Sequence, residues 1–337
     1  MRLGNRRLMA VLALLLFAVL SGTAQAQPSA LAEKGLQFYR DKTVTYIVST
    51  SPGGGHDFYG RLAARHMERF MPGATYVVRN VPGAGHLIGA NTIYGSKPDG
   101  LTVGTFSTGI TVSQIIGKEG IRFDMKKMSW VGKGATDTRV LLISDKSGFK
   151  DFDDLRKSKR EIKLSTAGVG TGAYNETLII GRAFDLPFRA MLGYSGSERA
   201  MGMMRGEIDG VIGGESSVEE LGGTTGGTFF LAFGDVPNTP NARQYITNDT
   251  QRKVIDLIEG QGVIYRLCAG PPNIPADRLA ALRHAFMSAY QSPELKKEAG
   301  KRPVTPLDGE IVARMIADVI DQPPEIVALL KGLTWTE

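Results

Sequence analysis

The sequence of 337 residues predicts an α/β chain of two lobes, each a mostly parallel sheet flanked by helices, with a ligand cleft between them. Three observations predict this. Short β-branched and aromatic runs alternate with stretches whose apolar residues fall three or four apart, as strands alternate with helices. Several strand ends are rich in Gly, Ser, Thr and His, where ligands of parallel sheets collect. One design, strand then glycine loop then helix, occurs in both halves of the chain.

The first copy is the stretch around which the rest is organised. Val44 to Val48 reads as a buried strand, bounded by Ser, Pro and Gly. Pro52-Gly53-Gly54-Gly55-His56-Asp57 follows, and then Tyr59, Leu62, Ala63, Met67 and Phe70 line one helix face. Three glycines let the backbone approach a ligand, and the helix start offers unpaired N–H groups and partial positive charge. Such a place suits an anion, most simply a carboxylate or phosphate. A tight turn with no ligand would also need glycine, so this loop alone does not decide.

The remaining elements follow in order. A short helix over Leu31 to Tyr39 precedes the first strand. Ala74 to Arg79 is a strand, Asn80 to His86 a second glycine loop, and Leu87 to Tyr94 a helix stopped by Gly95, Pro98 and Gly100. Leu101 to Phe106 is a strand with the polar tip Ser107-Thr108-Gly109. Val131 and Val140 to Ile143 read as strands leading into the second lobe, followed by a short helix at Phe152. Ile162 to Ser165 then enters Gly168-Val-Gly170-Thr171-Gly172-Ala-Tyr174 and a helix from about Asn175 to Phe184, the second copy of the design. Phe188 to Leu192 is a strand, Gly193 to Ser197 a loop, Glu198 to Arg205 a helix, and Ile208 to Ile212 a strand closed by Gly213-Gly214-Glu215-Ser216. Phe229 to Phe233 and Val263 to Ala269 are strands around a helix at Val254 to Ile258. The tail holds amphipathic helices at Ala276 to Tyr290, from Pro293, and from Asp308 to before Pro323.

Residues 1–26 read as a secretory signal: Arg2, Arg6 and Arg7, an apolar run from Leu8 to Leu20, and Ala24-Gln25-Ala26 for cleavage. That run is too short to span a bilayer. Without its three arginines the formal charge falls from +6 to +3, which argues against nucleic acid as a partner. Cys268 is the single cysteine, so no internal disulfide can form, and its apolar neighbours place it in a core.

Enzymatic constellations are poorly represented. Gly193-Tyr-Ser195-Gly-Ser197 lacks the last glycine of a nucleophile elbow, leaving a hydrolase built on Ser195 or Ser197 as the weak alternative. Gly168-Val-Gly170-Thr-Gly172 misplaces the third glycine of a dinucleotide fingerprint, and no Walker lysine follows any loop. His56 and His86 end neighbouring loops and could meet beside Asp57, but no ligand spacing supports a metal. The expectation is a binding protein without catalytic residues, cofactor or metal.

The runs Pro52 to Asp57, Asn80 to Gly85, Lys97-Pro98-Asp99-Gly100, Gly168 to Thr171, Gly193-Tyr194-Ser195-Gly196, Gly206 to Asp209 and Ser292 to Leu295 together resemble the receptors of tripartite tricarboxylate transporters, the Bug family of periplasmic solute-binding proteins. The resemblance covers nearly the whole chain after residue 26, in order. It implies a two-lobed, type II periplasmic binding protein, with residues 27–138 and 263–337 in the first lobe and 139–262 in the second. It further implies a monomeric exported receptor that closes over a small organic acid and delivers it to integral-membrane permease subunits. A periplasmic sensor, or a receptor for a metal or phosphorylated ligand on the same fold, is the alternative. Family members hold a carboxylate, partly through water, at the loops matching Gly53 to Asp57 and Gly168 to Thr171. The expected ligand contacts are Gly53, Gly54, Gly55, His56, Asp57, Phe58, His86 and Thr108 from the first lobe. Gly168, Gly170, Thr171, Tyr174, Tyr194, Ser195 and Glu215 face them from the second. Departures from the family pattern are His56, His86, Tyr174, Ser195 (for a Lys) and Glu215. These last two predict a less positive pocket, and hence a ligand with fewer carboxylates than citrate or with an amine or aromatic part.

Overall fold

The structure, a computed structural model, describes residues 27–194 and 196–334. The secretory signal expected at 1–26 and the candidate Ser195 lie outside the described residues. Helix α1 (Ala30–Tyr39) precedes β1 (Thr43–Val48), α2 (Gly54–Glu68), β2 (Thr75–Asn80), α3 (Leu87–Tyr94), β3 (Thr102–Thr105), α4 (Gly109–Ile115) and β4 (Ser129–Ala135). Then come β5 (Arg139–Ser144), α5 (Phe152–Arg156), β6 (Ile162–Ser165), α6 (Gly172–Ala183), β7 (Phe188–Met191) and α7 (Gly196–Arg205). The middle of the chain ends with β8 (Gly210–Gly214), α8 (Glu215–Thr225), β9 (Gly227–Phe233) and α9 (Asp249–Val263). The tail is β10 (Tyr265–Gly270), α10 (Ala276–Gln291), α11 (Pro293–Ala299), β11 (Leu307–Asp308), α12 (Gly309–Ile320) and α13 (Pro324–Thr334).

Two sheets result, with strand orders β11-β4-β10-β3-β1-β2 and β7-β6-β8-β5-β9. Both are mixed. In the first, β1 runs parallel to β2 and β3, whereas β10 is antiparallel to β3 and β4. In the second, β6 runs parallel to β7 and β8, whereas β5 is antiparallel to β8 and β9.

Period-two alternation gives each sheet two apolar faces. Along β1, Tyr46 and Val48 pack with Leu62, Met67 and Phe286, while Ile47 packs on the other side with Leu87, Phe106 and Trp130. Along β5, Leu141 and Ile143 pack with Leu164, Ile179 and Ile212, and Val140 and Leu142 pack with Met203, Val211 and Val218. Both sheets are therefore covered on both sides, and the strand ends are left to line a cleft. Val112 and Ile116, at the α4 end, and Ile326 and Leu330 of α13 join the core of the second sheet, so the chain's last helix packs on that lobe.

The chain passes between the sheets from β4 to β5 and from α9 to β10. These two crossings are tied together. The Asp137 N–H donates to the Gly262 carbonyl at 3.1 Å, and the buried Lys133 ammonium donates to Thr136 Oγ1 at 2.6 Å and the Val263 carbonyl at 2.8 Å. Burial lowers the Lys133 pKa to about 8.

Three helices were absent from the sequence reading: α4, α8 and α13. The first, Gly-Ile-Thr-Val-Ser-Gln-Ile, is rich in β-branched residues, and α8 ends in Gly-Gly-Thr-Thr, so neither has helical propensity to announce it. Tertiary packing supplies what propensity lacks: Ile110 and Val112 of α4 and Val218 of α8 are buried.

Candidate functional site

A cleft of about 970 Å³ lies between the two sheets. Its wall is made of helix starts. The first turns of α2, α3, α6, α7 and α8 border it, from Gly53–His56, His86, Thr171–Ala173, Gly196–Arg199, and Gly214 with Ser217 and Val218 respectively. Free N–H groups and positive dipole ends are thus brought round one volume, favourable to a bound anion.

Local sequence explains each start. Gly53 (φ 84°) and Gly54 (φ 79°) are left-handed, the conformation that glycine adopts without penalty. A Cβ at either meets nothing within 4 Å, so conformation alone selects glycine there. Gly55 is different: a Cβ would come 2.5 Å from Arg266 Nη2 and 3.3 Å from Ser217 Oγ. At α6 the cap is Thr171, whose Oγ1 accepts from the Tyr174 N–H at 3.4 Å and donates to the Gly168 carbonyl at 2.8 Å.

Of the expected site residues, Gly53, Gly54, Gly55, His56, His86, Thr108, Gly168 and Thr171 line the cleft. Asp57 does not. It is buried, its Oδ2 accepts from the Gly53 N–H (2.9 Å) and Arg61 Nε (3.0 Å), and its Oδ1 accepts from Asn80 Nδ2 (2.8 Å). These bonds hold its carboxyl below the usual range against the effect of burial, and they make Asp57 the fastener of the glycine loop. Phe58 points to the first core, edge-on to Tyr59 and beneath the Arg302 guanidinium. Tyr194 donates its hydroxyl to Glu207 Oε2 at 3.0 Å. Gly170 carries the left-handed bend of its loop (φ 82°) next to Lys118, while Tyr174 and Glu215 are half-buried outside the cleft lining.

Beside the loss of positive charge expected at Ser195 and Glu215 stand three cations that the expectation did not include. Arg139, Arg199 and Arg266 all line the cleft, none of them singled out from sequence. Arg139 is buried and doubly bonded to Glu176, Nε to Oε1 at 2.9 Å and Nη2 to Oε2 at 2.5 Å. Arg199 donates only a long bond to the Tyr194 carbonyl, 3.5 Å, and burial beside Arg139 lowers its pKa to about 10. Arg266 is 3 % exposed, lies between the rings of Tyr59 and Tyr265 at 4.6 and 4.1 Å from their centroids, and donates to Ser217 Oγ at 3.3 Å. A charged residue inside an otherwise apolar strand, as in Arg139-Val-Leu-Leu-Ile and Tyr-Arg266-Leu-Cys-Ala, was the available signal.

Burial, reinforced by these cations, keeps the histidines neutral. Burial, then Arg266, lowers the His86 pKa to about 4, and burial with Arg266, His86 and Arg139 takes His56 well below its ordinary value. Their rings lie 5.2 Å apart. Among the described residues no group of three His, Cys, Asp or Glu is placed to hold a metal. Ser49 Oγ lies 2.7 Å from His86 Nδ1, but an imidazole with so low a pKa is a weak base at neutral pH, and a Cβ on Gly89 would lie 2.5 Å from the Ser49 Cβ, so the helix covers that serine.

The lobes touch at several points around the cleft. A Cβ on Gly85 would lie 2.6 Å from the Val169 carbonyl, Asn175 Nδ2 donates to the Gly109 carbonyl at 3.3 Å, and Arg302 pairs with Glu220 at 3.3 Å.

Two sheets joined by two crossings, with helix starts around an intervening cleft, define the fold of two-lobed periplasmic binding proteins. The solved structure of MatC from Rhodopseudomonas palustris with bound malate has this fold at 18% identity and TM-score 0.69, over 86% of this chain and 99% of that one. The periplasmic binding protein BugD has it at 17% identity and TM-score 0.71, over 88% and 99%. Residues 60–209 match the family model of the tripartite tricarboxylate transporter family receptor. A UPF0065 protein from the tcbD-tcbE intergenic region of Pseudomonas sp. (strain P51) is 26% identical over 215 residues, which is 62% of this chain and 60% of that protein's length.

Proposed function

We propose that this protein is a periplasmic solute receptor that captures a small organic carboxylate and delivers it to integral-membrane permease subunits of the tripartite tricarboxylate type. The observation that carries the reading is the set of helix starts, from both lobes, around one cleft lined by arginine. The two lobes contribute complementary halves: the glycine loop of α2 from the first, and Thr171 to Ala173 of α6 from the second. A ligand held by both stabilises the closed arrangement by its differential contacts, and the crossings at 136–138 and 264 absorb the motion. The family-model match over residues 60–209 and the malate bound by MatC support a carboxylate as the ligand. No helix among the described residues is long and apolar enough to cross a membrane, which accords with a permease as separate subunits.

The test is a thermal-shift screen of the exported protein against carboxylates, amino acids, phosphate and divalent metals. A ligand at about a hundred times its dissociation constant adds about 2.7 kcal/mol. Stabilisation by carboxylates, lost on bulky replacement at Gly55, is the expected result. Stabilisation by metals or phosphate alone would overturn the reading.

A further inference from the structure

We infer that Arg266 and Arg199 form a subsite that pairs directly with a ligand carboxylate, so that the receptor selects small organic dianions. This rests on the receptor reading and adds its charge selectivity.

The first observation is an imbalance of donors. Among the buried side-chain atoms that meet no hydrogen-bond partner are Arg266 Nε and Nη1, Arg199 Nε and His56 Nε2, all on residues that line the cleft. Leaving a charged donor buried without an acceptor costs more than leaving a neutral one so. Arg139 shows the contrast, because Glu176 satisfies its fork from within the protein. Among the described residues no acidic side chain lies within bonding distance of either Arg199 or Arg266; Glu198, which borders the cleft, sits at the exposed rim. Two guanidiniums thus meet the cleft without a carboxylate of the protein.

The second observation is backbone strain at the same residue. Arg266 has φ 58° within strand β10, the left-handed region that is unfavourable for a non-glycine residue. Stability alone would favour glycine or a relaxed side chain here. The strain turns the guanidinium out between Tyr59 and Tyr265, whose ring faces hold its plane while leaving its edge for hydrogen bonds. Held so, the planar fork matches a carboxylate in two parallel bonds.

The third observation is position. Arg266 belongs to the first lobe and reaches Ser217 of the second, beside Gly55 at the start of α2. Arg199 is on the second lobe, in the first turn of α7. A carboxylate taken by Arg266 therefore sits where the lobes meet, at the α2 start. A second anionic group faces Arg199. Capture of both offsets two uncompensated charges, and a monoanion leaves one.

The experiment is calorimetric titration of butyrate, malate, adipate, citrate and inorganic phosphate into the exported protein and into Arg266→Gln, Arg266→Lys and Arg199→Gln, together with melting of each unliganded form. Loss of one partner of a buried charge pair corresponds to at least about a 30-fold loss of affinity. The expected result is that wild type binds malate or adipate in preference to butyrate, that R266Q and R199Q lose about 30-fold or more, and that R266K recovers part. Unliganded R266Q should melt no lower than wild type, because it sheds an unpaired buried charge; a merely structural arginine would give a clear fall. Wild type binding a dianion that R266Q binds equally well overturns the inference and leaves the receptor reading intact. So does a preference for butyrate. Preference for phosphate over every carboxylate overturns the carboxylate assignment of both. A wild type that binds none of the five overturns the receptor reading and the inference with it.

Discussion

Replacing Glu176 by glutamine should destabilise the protein far more than a typical substitution. The Arg139–Glu176 pair is buried on both sides, with side-chain exposures of 9 and 4 %, and is doubly bonded. It fixes α6, which carries the Thr171 cap, to the first residue of β5. Glutamine keeps one acceptor but leaves Arg139 an uncompensated cation. Breaking a buried pair in this way costs about 3–5 kcal/mol. At about 2–4 °C per kcal/mol for chains of 150–250 residues, the lower limit lowers the melting temperature by about 6–12 °C. Circular dichroism of E176Q against wild type reads this directly. Removing both partners, as R139M/E176L, should restore most of the loss, because apolar replacement of a whole buried pair is often neutral. The freed guanidinium also faces the cleft, so a dianion should raise the melting temperature of E176Q more than that of wild type. An E176Q protein melting within about 2 °C of wild type would refute the assignment of Arg139's charge to Glu176.

Further outcomes follow from the cleft. Gly55→Val places its side chain 2.5 Å from Arg266 Nη2; carboxylate affinity should fall about tenfold or more while folding is retained, as calorimetry and circular dichroism together would show. Gly85→Ala combines a left-handed φ of 62° with a Cβ 2.6 Å from the Val169 carbonyl of the opposite lobe, so ligand-induced compaction, measured by small-angle X-ray scattering, should be reduced. His86, with its folded pKa lowered to about 4 from 6.5, is neutral in the native state and protonated first in the unfolded one. Its contribution to stability is complete above pH 6.5 and is lost as pH falls towards 4; His86→Asn should flatten that part of the pH–stability curve, and NMR should find its ring untitrated between pH 5 and 8.

Legibility from sequence divided along physical lines. The strand–glycine–helix copies at β1–α2 and β6–α6 were plain because period-two and period-3.6 patterns, glycine punctuation and a Thr cap all act locally. Five of the nine strand pairings among the described residues are antiparallel, where alternation of strands and helices predicts mostly parallel ones, because direction is set by which strands return through the crossings and not by any run of residues. The helix α4 hid for a related reason: its β-branched residues take helical form only because Ile110 and Val112 find cores to fill.

At the site, backbone donors were legible and side-chain charge was not. Glycine loops advertise themselves, so eight of the proposed residues fall on the cleft wall. Ser195 and Glu215 bear on pocket charge as departures from the family pattern, yet Glu215 lies outside the lining, and two of the three cations there come from within strands. Arg139 and Arg266 begin or nearly begin β5 and β10, the strands on the far side of the two crossings. A strand that leaves a hinge has its first residues at the cleft by topology, so a cation there must either find an internal acid, as Arg139 does, or await one. Two arginines with identical sequence context, an apolar strand start, therefore take opposite roles, and Glu176, 37 positions along the chain from Arg139, is what separates them.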